Sequence, residues 1–327
     1  MSNQNDTTKF KVISLFSGCG GLDLGFMGGF SYMGNKYNEL PFEVVYANDI
    51  DEQACETYEH NLGHKIECKD FREVLEAKKL PDADVVLGGF PCQDFSVAGK
   101  RRGLEAKRGQ LYKSMIEAVE QVQPKVFIAE NVKGLLNIGK GEVIKIMEED
   151  FAKVGYTIYI NLFHTADYGV PQTRERVIIA GIRNDIDKKY SPPEPTHTDP
   201  LQKGFLDKEK KNWVTAKDVL SDLEEAKEGD MENHYWSKAK RYPGTQGNNN
   251  IKPDRPAPTM RAEHHGNIEF HYSGERRLSA REAARIQSFP DDFVFLRSTS
   301  RAYKQIGNAV PPVFGWHVAQ SVRKVLE

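Results

Sequence analysis

The chain has 327 residues, 39% hydrophobic and 28% charged, with a formal net charge of −2, enough to bury a full core and too evenly mixed for a disordered chain or a stapled miniature scaffold. No apolar run approaches the ~18 residues that cross a bilayer, the polar start before Val12–Phe16 lacks a signal-peptide pattern, and Cys19, Cys55, Cys68 and Cys92 form no Cys-x-x-Cys pair. These features predict a cytoplasmic protein with no membrane span, metal site or disulfide framework, and the near-neutral charge requires any nucleic-acid contact to use a local basic surface.

Apolar runs predict strands over Lys11–Phe16, Glu43–Ala47, Val85–Leu87 and Lys125–Ala129. They alternate with helical patterns such as Gln110–Gln121, where Leu111, Met115, Ala118 and Val122 recur at helical spacing before Pro124. That alternation indicates an α/β domain with a mostly parallel sheet. Tyr156–Leu162 and Arg176–Ile182 read as two more strands making an antiparallel edge, and the core closes by about Asp185. From Tyr190 to Ser273 the texture is loop-rich, with Pro192-Pro193, Asn248–Asn250 and Pro253–Pro258 around one helix, Thr215–Ala226. Regular structure resumes where Ser279 and Glu282 form a capping box; Phe289-Pro290 stops that helix, and a last one follows Pro311-Pro312.

The turn Phe16-Ser17-Gly18-Cys19-Gly20-Gly21-Leu22 lies between the first strand and a helix, where bare backbone amides let a ligand approach. No Gly-Lys-Ser/Thr follows it, and Asp23 stands where the dinucleotide fingerprint needs its third glycine. An adenosine-bearing ligand other than a nicotinamide or flavin therefore fits better. Asn48-Asp49-Ile50-Asp51 offers carboxylates for ribose hydroxyls, and Asp70-Phe71 stands where a third strand ends. A glycine turn is as often plain structure, so this motif alone leaves both readings open.

Cys92, within Gly88–Ser96, follows the buried strand Val85–Leu87 at the carboxyl edge of the sheet. A lone cysteine is usually a small buried hydrophobe. Here Lys100, Arg101, Arg102, Lys107 and Arg108 follow it, a basic loop that favours thiolate and suits an anionic substrate. Glu130 ends an apolar strand at the same edge, where it serves chemistry, caps a helix or pairs with an arginine. Arg174 and Arg176 alternate and so project to one face, as a phosphate or carbonyl clamp or as hairpin ion pairs with Glu175 or Asp185.

Together these blocks resemble the bacterial cytosine-5 DNA methyltransferases of restriction-modification systems. The resemblance rests on Phe16–Gly21, Phe90-Pro91-Cys92-Gln93, Glu130-Asn131-Val132, Gln172-x-Arg174-x-Arg176, Arg281–Arg285 and Gln305–Val310, and spans residues 11–185 and 276–327. It implies an S-adenosylmethionine-dependent methyltransferase fold, mostly parallel with one antiparallel strand, plus a smaller irregular target-recognition domain. Residues 1–189 and 298–327 would form the catalytic domain, with the C-terminal helix returning to it, and 190–297 the target-recognition domain.

By resemblance, Phe16, Ser17, Gly18, Cys19, Gly20, Gly21, Leu22, Asp49, Ile50, Asp70, Phe71, Pro91, Leu111, Asn308 and Ala309 hold S-adenosylmethionine, which leaves as S-adenosylhomocysteine. Cys92 adds to C6 of a flipped cytosine, Glu130 hydrogen-bonds N3 and the exocyclic amine, and Arg174 binds the O2 edge, with Arg176 also catalytic. Duplex DNA is then the partner of a monomer. Gln93, Ser96, Lys100, Arg101 and Arg102 contact it from a lid, and Arg261, His264 and His265 supply reading contacts. The rival is tRNA cytosine-5 methylation, but that branch carries a Cys-Phe-Thr element, and no cysteine follows Cys92.

Overall fold

Strands covered on both faces need near-continuous apolar runs, and the computed structural model shows them paired. It describes residues 9–77, 79–90, 110–202, 204, 207–242, 247–262 and 268–327. The first ten strands are Phe10–Leu15 (β1), a hairpin of Phe30–Tyr32 (β2) and Asn35–Tyr37 (β3), Phe42–Asp49 (β4), Glu67–Cys68 (β5), Val85–Gly88 (β6), Val126–Val132 (β7), Tyr156–His164 (β8), Gln172–Thr173 (β9) and Glu175–Arg183 (β10). Seven of them form one sheet in the order β5-β4-β1-β6-β7-β10-β8.

Alternate residues of β1 enter opposite faces of this sheet. Val12 joins one buried cluster while Ile13 and Leu15 join the other. The chain runs from β1 outward through β4 and β5, then returns to place β6 and β7 on the other side. Strand order therefore reverses between β1 and β6, and the carboxyl ends flanking that point form the crevice in which open α/β sheets bind ligands.

The reversed strand lies near one edge of the sheet, as the resemblance implies. β10 is antiparallel to both β7 and β8, so it lies one place in from the edge and β8 is the edge itself. Burial explains the order: Arg176–Ile182 is buried throughout, whereas β8 leaves most of its residues partly exposed.

The helices that cover the sheet include Gly21–Met27 (α1), Glu52–Leu62 (α2), Phe71–Ala77 (α3), Gln110–Val122 (α4) and Glu142–Lys153 (α5). The middle of the chain contributes a helix shorter than the Thr215–Ala226 expected: Ala216–Leu220 (α6), capped by the Thr215/Asp218 box and followed by a 3-10 turn at Ser221–Leu223. Ala280–Ile286 (α7), Thr299–Asn308 (α8) and Pro312–Leu326 (α9) complete the fold. No helix among the described residues is long and apolar enough to cross a membrane.

The expected Ser279/Glu282 capping box starts α7, every residue of which is buried. Its charges are structural joints. Arg281 donates to the carbonyl oxygens of Glu232, Pro290 and Phe293, Arg285 pairs with Asp222 and Asp291, and Glu282 accepts from Arg276 at 2.7 Å. α9 returns to α1 so closely that a Cβ on Gly25 would stand 2.7 Å from the Pro312 carbonyl. Val219, Leu278, Ala283 and Phe289 share one buried cluster with Val12 and Phe26, and Ala257–Pro258 pairs in parallel with β9. The last part of the chain is thus stitched directly onto the sheet that carries the site.

Candidate active site

A cavity of about 630 Å³ opens at the strand-order reversal, lined from the ends of β1, β4, β6 and β7 and from α8. Phe16 and Ser17 follow β1 into the glycine turn; Phe16 holds a left-handed backbone (φ 56°) and meets Phe71 edge-on at 5.6 Å between ring centroids. Gly18 also has positive φ, and a Cβ there would meet no protein atom within 4 Å. Its missing side chain leaves room that a ligand can use. Cys19 and Leu22 line the same wall, and burial pushes the Cys19 thiol up to about 12, so it stays protonated.

Gly20 and Gly21 do not line the cavity. A Cβ on Gly20 would stand 2.5 Å from Leu62, and one on Gly21 would stand 2.4 Å from the Val310 carbonyl. These two are glycines because helices α1 and α2 and the C-terminal segment pack against the turn.

The acidic partners are more committed than the sequence showed. Asp49 accepts from the backbone amides of Gly18 (2.8 Å) and Asp51 (2.9 Å), so it braces the turn while lining the cavity; burial raises its pKa. Asp51 accepts from the first amides of α2 and pairs with Lys304 of α8 at 2.6 Å. Asp70 is held by Arg72, whose hydrogen bonds lower its pKa. Ile50 stands 67% exposed at the rim, an apolar surface with no protein cover. Leu111, Asn308 and Ala309 also line the cavity.

The other end of the same cavity holds Glu130 and Arg176. In the antiparallel pair of β7 and β10, Arg176 faces Val132 and Ile178 faces Glu130, so Arg176 reaches Glu130 diagonally across one face. Its Nε lies 2.7 Å from Glu130 Oε1, with both side chains about nine-tenths buried. Burial pulls Arg176 below its usual pKa while Glu130 opposes that shift. The hairpin alternative does not form: Glu175 pairs with Lys133 and Asp185 with Arg183.

Arg174 is placed differently from Arg176. It lines the cavity, but its terminal nitrogens donate to the main-chain oxygens of Met260 (2.9 Å), Gly307 (3.0 Å) and Ala309 (3.0 Å). Only its Nε is buried without a hydrogen-bond partner. The guanidinium beside Glu130 is that of Arg176, and Arg174 ties β10 to the segments around Met260 and Gly307.

Asn131 escaped the sequence-based assignment although it sits in the Glu130-Asn131-Val132 block. Its side-chain Nδ2 donates to the Phe90 carbonyl at 2.9 Å, and a Cβ on Gly89 would come 3.6 Å from Glu130 Oε2. The chain is thereby fixed beside Glu130 immediately before position 91. Lys304 was also missed, because nothing local in the sequence links it to Asp51. Pro91, Cys92, Gln93, Ser96, Lys100, Arg101, Arg102, His264 and His265 lie outside the described residues. Arg261 is exposed, and its backbone packs so tightly on α8 that a Cβ on Gly307 would stand 2.2 Å from its carbonyl carbon.

A sequence model of C-5 cytosine-specific DNA methylases matches residues 10–324. The Type II methyltransferase M.NgoFVII of Neisseria gonorrhoeae is 38% identical, over 98% of this chain and 89% of its own. M.BsuRI of Bacillus subtilis, also a Type II methyltransferase, is 38% identical over 97% of this chain and 80% of its own. Among solved structures, a prophage-encoded chain of Escherichia coli superposes with a TM-score of 0.70 at 22% identity, covering 97% of this chain and 99% of that one. Its likeness extends to the fold.

Proposed function

The chain belongs to the C-5 cytosine-specific DNA methylase family, and on that premise we propose that this cavity joins S-adenosylmethionine to a flipped cytosine within a specific duplex sequence. The activity is DNA cytosine-5 methylation of the restriction-modification type. One observation carries the finer reading: a single cavity runs from the glycine turn to the Glu130–Arg176 pair, so a methyl donor and an acceptor base can meet in it.

The residues suit such a donor. Phe16, Phe71 and Ile50 offer apolar and aromatic surface to an adenine, Asp49 and Asp51 offer carboxylates near a ribose, and the volume falls within the range of small-ligand sites. When bound, S-adenosylmethionine supplies an electrophilic methyl group. The chain makes C5 of cytosine nucleophilic: the Cys92 thiolate adds to C6, creating enamine character at C5. Glu130 hydrogen-bonds N3 and the exocyclic amine as the adduct forms, and Arg176 orients Glu130 and meets the carbonyl edge of the base. After transfer the C5 proton is lost and Cys92 leaves by elimination. A stacked base cannot enter this cavity, so the cytosine is extruded at a cost of ~2–4 kcal/mol. We place the protein in the bacterial cytoplasm, the compartment of its DNA substrate, as a monomer.

The test is tritiated-methyl transfer from S-adenosylmethionine to duplex DNA and, in parallel, to tRNA, with bisulfite sequencing to locate the product. Label in duplex DNA at one recurring sequence is expected; label confined to tRNA would overturn the substrate.

The same assay tests the division of labour. Residues 190–297 are proposed to choose the sequence and the remainder to perform the chemistry, because irregular loops on a rigid sheet are where such specificity resides. Exchanging that segment for a relative's is expected to move methylation to the relative's site. Alanine at Arg261, His264 or His265 should relax site discrimination, each base-edge contact being worth ~1–3 kcal/mol. Alanine at Lys100 or Arg101 should weaken binding to all sequences alike and reduce its salt dependence. An active chimaera that keeps the original site would refute the division.

A further inference from the structure

Asp23 occupies the place of a fingerprint glycine, and no step of the proposed methyl transfer uses it. It sits in the first turn of α1, has no exposed surface, and stands in the cavity wall beneath the glycine turn. Two hydroxyls converge on its carboxylate: Ser14 Oγ donates to Oδ1 at 2.7 Å and Tyr58 Oη donates to Oδ2 at 2.7 Å. Ser17 Oγ, which also lines the cavity, lies 2.9 Å from Ser14 Oγ and donates inward. Ser14 has one hydroxyl proton and gives it to Asp23, while the Ser17 proton has three inward acceptors, Ser14 Oγ, the Ser14 carbonyl oxygen (3.0 Å) and the Asn48 carbonyl oxygen (3.3 Å); whichever it takes, the Ser17 lone pairs are left toward the cavity.

The titratable groups facing Asp23 are Tyr58 from α2 and the Cys19 thiol across the turn, with Asp49 beyond Cys19. No described lysine, arginine or histidine is paired with it. Burial pushes its pKa up to about 6, while the two hydroxyl hydrogen bonds hold it down. At neutral pH the site therefore keeps a buried anion with no cationic partner in the protein, an arrangement that costs stability unless a ligand supplies the positive charge.

We propose that Asp23 is a charge-selecting residue of the cofactor site, whose carboxylate, acting through Ser14 and Ser17, favours a sulfonium-bearing methyl donor over its neutral thioether product. The inference rests on the S-adenosylmethionine reading. Donor and product share the adenosine, the ammonium and the carboxylate, and differ at sulfur by one methyl group and one positive charge. The ratio of their affinities therefore isolates the response of the protein to that charge and methyl. A site that weakens its hold once the charge is gone also assists product release.

The experiment is calorimetric binding of S-adenosylmethionine and S-adenosylhomocysteine to the full-length protein without DNA, between pH of about 8 and about 5. In the wild type the affinity ratio of donor to product should fall about tenfold as Asp23 takes up its proton. Asp23→Asn should show that lowered ratio already at the upper end of the range, without further pH dependence and with product affinity changed less than about twofold. Tyr58→Phe removes one hydrogen bond to the anion, so it should move the midpoint of the wild-type transition to higher pH. Parallel loss of both ligands in Asp23→Asn would overturn the proposal, as would a wild-type ratio that ignores pH. A transition that persists unchanged in both variants would assign the effect to Asp49 and overturn it equally. If the wild type binds neither ligand, the cofactor reading itself fails, an outcome separate from loss of discrimination.

Discussion

Cys92→Ser is expected to bind DNA and cofactor like the wild type yet lose methyl transfer by ~10³-fold or more, a barrier increase of about 4 kcal/mol. C5 of cytosine attacks a methyl group only after a nucleophile has added to C6, and a serine hydroxyl is far harder to ionise at neutral pH than a thiol. The described surroundings prepare the place for such a nucleophile. β6 ends at Gly88, Asn131 holds the Phe90 carbonyl at 2.9 Å, and Gly89 runs past Glu130, so Gly89 and Phe90 stand beside the group assigned to the base. Wild-type protein should also form a covalent adduct with duplex DNA containing 5-fluorocytosine, because fluorine cannot leave as the C5 proton does, and Cys92→Ser should form none. Single-turnover tritium transfer and a denaturing gel read the two outcomes. Near-normal turnover in the variant would sink the covalent mechanism.

Much of this site was legible because its chemistry is carried by short blocks at strand ends. Strands β1, β4, β6 and β7 announce themselves as apolar runs, and their alternation with helices sets the parallel order. What the sequence hid lies in contacts between distant segments. The Asp51–Lys304 pair spans 253 positions, so neither residue signals the other. The hairpin of Phe30–Tyr32 and Asn35–Tyr37 was missed because each strand has only three residues and no periodicity can be read over so short a run. Gly18, Gly20 and Gly21 look alike in the sequence, yet Gly18 opens the cavity while the other two make way for Tyr58, Leu62 and Val310. The antiparallel pair was placed at the correct end of the sheet, but which member lay inside depended on the heavier burial of β10.

The two arginines of the Gln172-x-Arg174-x-Arg176 block should separate cleanly on substitution. They lie two positions apart and were read as one clamp, but β9 ends at Thr173 and β10 begins at Glu175, so Arg174 sits at the junction, outside both strands. Its guanidinium turns to three main-chain oxygens that join β10 to the backbone at Met260, Gly307 and Ala309. Arg174→Ala removes the donor to the Met260 and Gly307 oxygens and leaves Ala309 with only Gln287, and a loss of ~3–5 kcal/mol is expected, read as a lowered melting temperature in the absence of any ligand. Arg176→Ala acts on the chemistry instead. It removes the 2.7 Å partner of Glu130, so Glu130 can turn away from the ring nitrogen it must meet and the carbonyl edge of the base loses its donor. A fall of ~10²–10³-fold in kcat is expected, ~3–4 kcal/mol of transition-state stabilisation, with S-adenosylmethionine affinity spared because Arg176 stands at the far end of the cavity from the glycine turn. Arg176→Lys, which keeps the charge without the planar fork, should recover only part of that loss. If Arg174→Ala is the variant that remains folded and loses turnover while Arg176→Ala merely melts earlier, the roles assigned to the two guanidiniums are reversed, and Arg174, as its position in the block first suggested, meets the base.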